Sequence, residues 1–151
     1  MKHRLLIADR EVEWRELFER FLAEWGYEVE TATDGLDCLA KLRDAAPDML
    51  VLDLELPWGG GDGVLAWLRE ESSAPTIPVL LMGPEAAPPD LNEFNEPPIV
   101  GYLPKPVGLT RLLKSIRATF ARTEPMEEAV ELRSRSSVFR ALISSDDQGY
   151  Y

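Results

Sequence analysis

Three apolar runs in this chain each end on a charged residue. Leu5-Leu6-Ile7-Ala8 leads to Asp9, Met49-Leu50-Val51-Leu52 leads to Asp53, and Val100-Gly101-Tyr102-Leu103-Pro104 leads to Lys105, which precedes Pro106. A carboxylate at the end of a buried run is suited to nucleophilic or metal-binding work, and an ammonium beside it is suited to holding an anion. Asp53 is the centre of the set, because Leu54-Glu55-Leu56-Pro57 and a glycine-rich stretch follow it directly.

For these residues to meet, distant segments must end side by side. A fully buried strand of a parallel sheet reads as an unbroken hydrophobic run, and ligands of such sheets collect beyond the carboxyl ends of the strands. From Glu11 the period changes: Trp14, Leu17, Phe18, Phe21, Leu22 and Trp25 recur at three and four residues, predicting one helical face that Gly26 closes. Tyr27 to Ala32 alternates weakly as a short strand, and Asp34 caps a second helix carrying Leu36, Leu39 and Leu42. Pro47 stops the chain before the Asp53 strand. Gly59-Gly60-Gly61 then predicts a flexible loop beside Asp53, and Val64, Leu65 and Leu68 start a third helix. Pro78 to Met82 is a fourth buried strand, Ile99 to Leu103 a fifth, and Leu109, Leu112, Leu113, Ile116 and Phe120 mark a last helical face. Helices alternating with apolar strands predict an α/β domain with a parallel sheet covered on both faces, since each parallel crossover needs a helix to return the chain.

One crossover breaks the pattern. Pro84, Pro88, Pro89, Pro97 and Pro98 lie between the fourth and fifth strands, and an interior proline costs a helix about 3 kcal/mol. Only Asp90 to Asn95 is left for a degenerate helix of one or two turns. The strand-helix units end near Thr123, so 1–123 reads as one domain and 124–151 as a short, polar extension, partly helical and then disordered from Ser144.

Composition narrows the function. At 151 residues with 45% hydrophobic content, the chain can bury a real core as one domain. A net charge of -11 argues against nucleic-acid binding, which needs a basic face. Cys38 is the single cysteine, so no internal disulfide or cysteine-based metal site forms, and its expected place is the core side of a helix. The apolar stretch after Met1-Lys2-His3-Arg4 is too short for a signal peptide or membrane span, which predicts a cytoplasmic protein with no membrane partner.

Asp9, Asp53, Lys105 and Pro106, in this order at the ends of the first, third and fifth strands, resemble the receiver domain of two-component response regulators. The likeness covers roughly residues 3 to 122 and extends to Trp14-Arg15-Glu16-Leu17, the Asp62-Gly63 turn and Gly101-Tyr102-Leu103-Pro104-Lys105-Pro106. It implies a flavodoxin-like doubly wound sheet of five strands, CheY-like, in the order 2-1-3-4-5. It also implies that Asp53 accepts a phosphoryl group from a histidine kinase or phosphotransferase, that Lys105 contacts that group, and that Pro106 follows a cis bond. Magnesium would be held in an acidic pocket by Asp9, Asp53 and Glu55. Kinases would dock on the first helix, whose charges from Glu11 to Glu24 otherwise form a solvated face.

Two departures bear on the function. The family carries a second acid after the one matched by Asp9, where this chain has Arg10, so the magnesium site is weakened or absent. Arg10 is either a solvated loop residue or a guanidinium that reaches Asp53 in place of the metal; Glu11, one residue on, is a third candidate for the pocket. The family also carries Thr or Ser where this chain has Gly83, which removes the usual coupling to the aromatic matched by Tyr102. Asp53-Leu54-Glu55 offers a weaker reading as the motif of magnesium-dependent phosphatases of the haloacid dehalogenase type. His3 is expected to be inert, and Trp58 either covers the pocket or projects outward. The expectation is an atypical, non-enzymatic receiver without an attached output domain, phosphorylated on Asp53 and signalling to a downstream protein. The alternative is a phosphorylation-independent pseudo-receiver that acts as an interaction scaffold. A homodimer is among the arrangements left open.

Overall fold

The apolar runs form parallel strands, as their continuity requires. A computed structural model describes residues 2–85 and 96–123. The chain divides into two compact units, Met1–Val107 and Gly108–Tyr151. The first holds β1 (Arg4–Ala8), α1 (Val12–Glu24), β2 (Glu28–Ala32), α2 (Gly35–Asp44), β3 (Met49–Asp53), α3 (Gly60–Glu70), β4 (Val79–Gly83) and β5 (Ile99–Pro104). The strands make one parallel sheet in the order β2-β1-β3-β4-β5, the order expected of a flavodoxin-like fold. The second unit contributes α4 (Leu109–Thr123), on which Leu112, Leu113, Ile116 and Phe120 are buried as predicted.

Strand burial follows position in the sheet. β3 and β4 are buried at every residue and β1 at all but Arg4, whereas the edge strand β2 alternates and β5 is mixed. One sheet face presents Leu6, Ala8, Leu50, Leu52, Val79 and Leu81 to a core that includes Cys38 and Leu42 of α2 and Val64 and Leu65 of α3. The alternate residues Leu5, Ile7, Met49, Val51, Leu80 and Met82 are equally buried on the opposite face, where Phe18 of α1 shares a cavity wall with Met82. Burying a side chain of this size is worth about 1.5–3 kcal/mol, so the sheet is the rigid base for whatever its edge carries.

Helix ends match their sequence signals. After α1, the Gly26 N–H bonds to the Ala23 carbonyl and the Tyr27 N–H to the Leu22 carbonyl, a Schellman closure in which Gly26 adopts φ +91°. Asp34 caps α2 by accepting the Asp37 N–H at 2.8 Å.

Three expectations need correction. Leu17 is 41% and Leu36 67% exposed, so neither belongs to its predicted apolar face; the buried stripe of α1 is narrower, centred on Phe18 and Leu22, and that of α2 runs through Cys38 and Leu42. Gly59-Gly60-Gly61 is not one flexible loop, because Gly60 and Gly61 open α3. A Cβ at Gly61 would lie 2.7 Å from the Leu54 Cα, so this glycine permits close backbone packing rather than mobility. The helix expected at Asp90 to Asn95 and the extension 124–151 lie outside the described residues.

Candidate functional site

Sheet register delivers the predicted cluster. Ala8 pairs with Leu52, so Asp9 and Asp53 arrive next to each other at the C-terminal edge; Asp53 pairs in turn with Met82. Gly83 pairs with Pro104, and the Lys105 N–H bonds to the Gly83 carbonyl at 2.7 Å, which brings the lysine back over the edge. The Lys105–Pro106 peptide is cis, as expected from the resemblance.

The three side chains meet in a crevice. Lys105 Nζ lies 3.1 Å from Asp53 Oδ2 and 3.3 Å from Asp9 Oδ2. The other oxygen of each carboxylate turns back on its own loop: Asp9 Oδ1 accepts the Glu11 N–H at 2.8 Å and Asp53 Oδ1 accepts the Glu55 N–H at 3.0 Å. Asp53 is 0% and Asp9 1% exposed. Burial raises the Asp9 pKa above its ordinary value and the Asp53 charge adds to the rise, while the Glu11 N–H and the Lys105 ammonium oppose it. The ammonium is near enough to neutralise charge but aligned with neither Oδ2 for a hydrogen bond, so these three buried atoms keep unspent hydrogen-bonding capacity. A cavity of about 270 Å³ opens beside them, with Asp9, Glu11 and Lys105 facing an apolar wall that includes Trp14, Phe18 and Val107.

Arg10 is an exposed loop residue, as the first of its two readings expects, and the second reading needs correction. Its guanidinium pairs with Glu55 at 2.7 Å, joining the β1–α1 loop to the β3–α3 loop, and does not go to Asp53. The reason is solvation: Asp53 is buried and already held by Lys105 and a backbone N–H, whereas the Glu55 carboxylate remains in water. Glu11 contributes a backbone donor to Asp9 and is one of the residues lining the cavity. Among the described residues no group of three or more acidic, His or Cys side chains is arranged to hold a metal. Lys105 lies against both buried carboxylates and Arg10 against Glu55, so each acid of the set named for magnesium already faces a cation, while Asp9 Oδ2 and Asp53 Oδ2 keep no hydrogen-bond partner.

Two contacts were not legible beforehand. Arg15 Nη1 donates to the Asp9 carbonyl at 2.6 Å, giving the Trp14-Arg15-Glu16-Leu17 motif a role in fixing the first strand end. The Tyr102 hydroxyl donates to the Pro84 carbonyl at 2.7 Å, and its pKa is raised by burial and by the Glu55 charge. Trp58 projects outward, 73% exposed, and does not close the crevice. Cys38 is a core thiol whose pKa burial, with Asp37 and Asp34, pushes up to about 12; it is unreactive.

Known proteins share this sequence pattern and this fold. The sequence model of the response regulator receiver domain matches residues 5–117. Response regulator MprA of Mycobacterium tuberculosis is 33% identical over 137 residues, 91% of this chain and 59% of that protein. Its Mycobacterium leprae counterpart is 35% identical over 126 residues, 83% of this chain and 54% of that protein. The chain therefore spans little more than half the length of these curated relatives. Among solved structures, the chemotaxis response regulator CheY4 of Vibrio cholerae superposes with a TM-score of 0.71 at 30% identity, covering 78% of this chain and 98% of that one. No described helix is long and apolar enough to cross a membrane.

Proposed function

This chain belongs to the response regulator receiver family of two-component signalling, and on that premise we propose that Asp53 accepts a phosphoryl group and that the domain signals by protein-protein contact. The observation that carries the reading is the 3.1 Å approach of Lys105 Nζ to Asp53 Oδ2. A carboxylate oxygen of Asp53 bonds to phosphorus while the bond from phosphorus to the donor's leaving group breaks, and the leaving group departs with its electron pair. Charge on the phosphoryl oxygens is the main obstacle to this transfer, and a fixed ammonium opposes it. The donor is a phosphohistidine of a kinase or phosphotransferase, and the output is contact with a downstream protein in the cytoplasm. The domain itself is no enzyme, any magnesium site in it is weakened or absent with Arg10 in place of the second acid, and it binds no nucleic acid directly.

The test is intact-mass measurement after incubation with a small acyl phosphate, with and without magnesium. A gain of one phosphoryl group that vanishes in Asp53→Ala supports the acceptor. A second reading, a scaffold that works without phosphorylation, is favoured by the complete burial of Asp53 and by Arg10 in the position of the family's second acid. No mass gain under either condition would establish it over the first.

A further inference from the structure

Gly83 is where the strand beside Asp53 and the loop carrying Lys105 come together. Its neighbour Met82 pairs with Asp53, and its own carbonyl accepts the Lys105 N–H. A Cβ built on Gly83 would lie 2.5 Å from the Tyr102 hydroxyl oxygen, 3.2 Å from Tyr102 Cζ and 3.1 Å from a methyl of Leu54, the residue after Asp53. The phenol therefore stands in the space that a side chain at position 83 would fill. The absence of a side chain there admits the tyrosine, and the hydroxyl beside the Asp53 strand end is delivered from β5 instead of β4.

We propose that the Tyr102 hydroxyl is the hydrogen-bond donor that contacts the phosphoryl group on Asp53, in place of any side chain at position 83. This rests on the phosphoacceptor reading above. The hydroxyl has one hydrogen to give, now spent on the Pro84 carbonyl at 2.7 Å. A phosphoryl oxygen carries negative charge and is the stronger acceptor, so the hydroxyl exchanges the carbonyl for it without transferring a proton. Burial and the neighbouring Glu55 charge keep the phenol in its protonated, donating form at neutral pH.

The experiment follows phosphoryl gain on the full chain by intact mass, with a small acyl phosphate as donor. Tyr102→Phe keeps the ring and removes the hydroxyl, and is expected to slow the gain about tenfold, the scale of one hydrogen bond to a charged group. Gly83→Ser in the Tyr102→Phe background returns a hydroxyl from the other strand and is expected to recover most of that loss. Gly83→Ala in the same background adds the same Cβ without a hydroxyl and is expected to recover none. A Tyr102→Phe rate equal to wild type, or equal recovery by serine and alanine, overturns the inference and leaves Asp53 as acceptor. A wild-type protein that gains no phosphoryl group, or gains it equally in Asp53→Ala, overturns both.

Discussion

On the floor of the crevice Asp9, Asp53 and Lys105 meet almost out of reach of water, whereas on the rim the Arg10–Glu55 pair keeps 46% and 40% of its side chains exposed. Both are carboxylate-cation contacts, and they are close in sequence: the floor acids Asp9 and Asp53 lie at the strand ends, with Arg10 one residue and Glu55 two residues further on. The floor contacts are 3.1 and 3.3 Å, the rim contact 2.7 Å. Distance alone would make the rim the stronger. Solvent reverses that ranking, because a buried charge that loses its partner has no water to turn to, and an exposed one does.

The largest effect should come from removing the one cation on the floor. Lys105→Met leaves two buried carboxylates facing each other, and breaking a buried pair in this way costs about 3–5 kcal/mol. Lys105 keeps a fifth of its side chain in solvent, 20%, so a loss near the lower end, about 3 kcal/mol, is expected from urea unfolding at neutral pH. A loss below about 1 kcal/mol, the range of exposed pairs, would mean that floor and rim are solvated alike.

The rim depends on how its loops are seated, and the glycines of α3 test that. At Gly61 an added Cβ meets the Leu54 backbone at 2.7 Å, and at Gly63 it meets nothing within 4 Å. Overpacking against backbone costs about 1–3 kcal/mol, while glycine to alanine inside a helix gains up to about 1 kcal/mol. Gly61→Ala should therefore destabilise by about 1–2 kcal/mol and Gly63→Ala should stabilise by about 0.5–1 kcal/mol, both read from the urea midpoint. Equal behaviour of the two would show that the loop holding Glu55 yields freely.

How much of this was legible in the sequence divides along the same line. The floor was: strands buried on both faces must be continuously apolar, so Asp9, Asp53 and Lys105 stood out as charges at the ends of such runs. Cys38 was legible as core for a different reason, since a free cysteine on a helix behaves as a small hydrophobe and is among the most often buried residue types. The rim was not, since Arg10 selects Glu55 over Asp53 by differences in solvation that appear only once the strands are assembled. Leu17 and Leu36 misled because periodicity fixes the direction of a helical face and not its width. Gly60 and Gly61 misled because glycine signals a loop and a close backbone approach equally well, and only the position of Leu54 separates the two. Tyr102 needed a volume, the space beside Gly83, that no pattern encodes.

Acid titration should sharpen the contrast further. Because Asp9 has a raised pKa in the folded protein, the folded state binds its proton more tightly than the unfolded chain does. Its contribution to stability is fully present below the unfolded value, near 3.8, and is lost as pH rises through the higher folded value. Asp9→Asn should remove that component, so that the difference between wild type and variant shifts with pH in this window and is flat above it. A difference independent of pH from acid to neutral would show that Asp9 is as hydrated as Glu55.

The smallest effect belongs to Arg10. An exposed ion pair contributes about 0–1 kcal/mol, and two half-solvated side chains lie in the lower part of that range. Arg10→Ala and Glu55→Gln should each change stability by under about 0.5 kcal/mol, and the double variant should show a coupling that fades at about 0.5 M salt, where the Debye length falls well below 10 Å. The short 2.7 Å contact makes this a demanding test, because geometry taken alone would predict a coupling above that of the floor. A coupling beyond about 1.5 kcal/mol that survives salt would place the rim pair in a low-dielectric setting. Arg10 would then be a structural tie between the β1–α1 and β3–α3 loops, and the distinction drawn between floor and rim would fail.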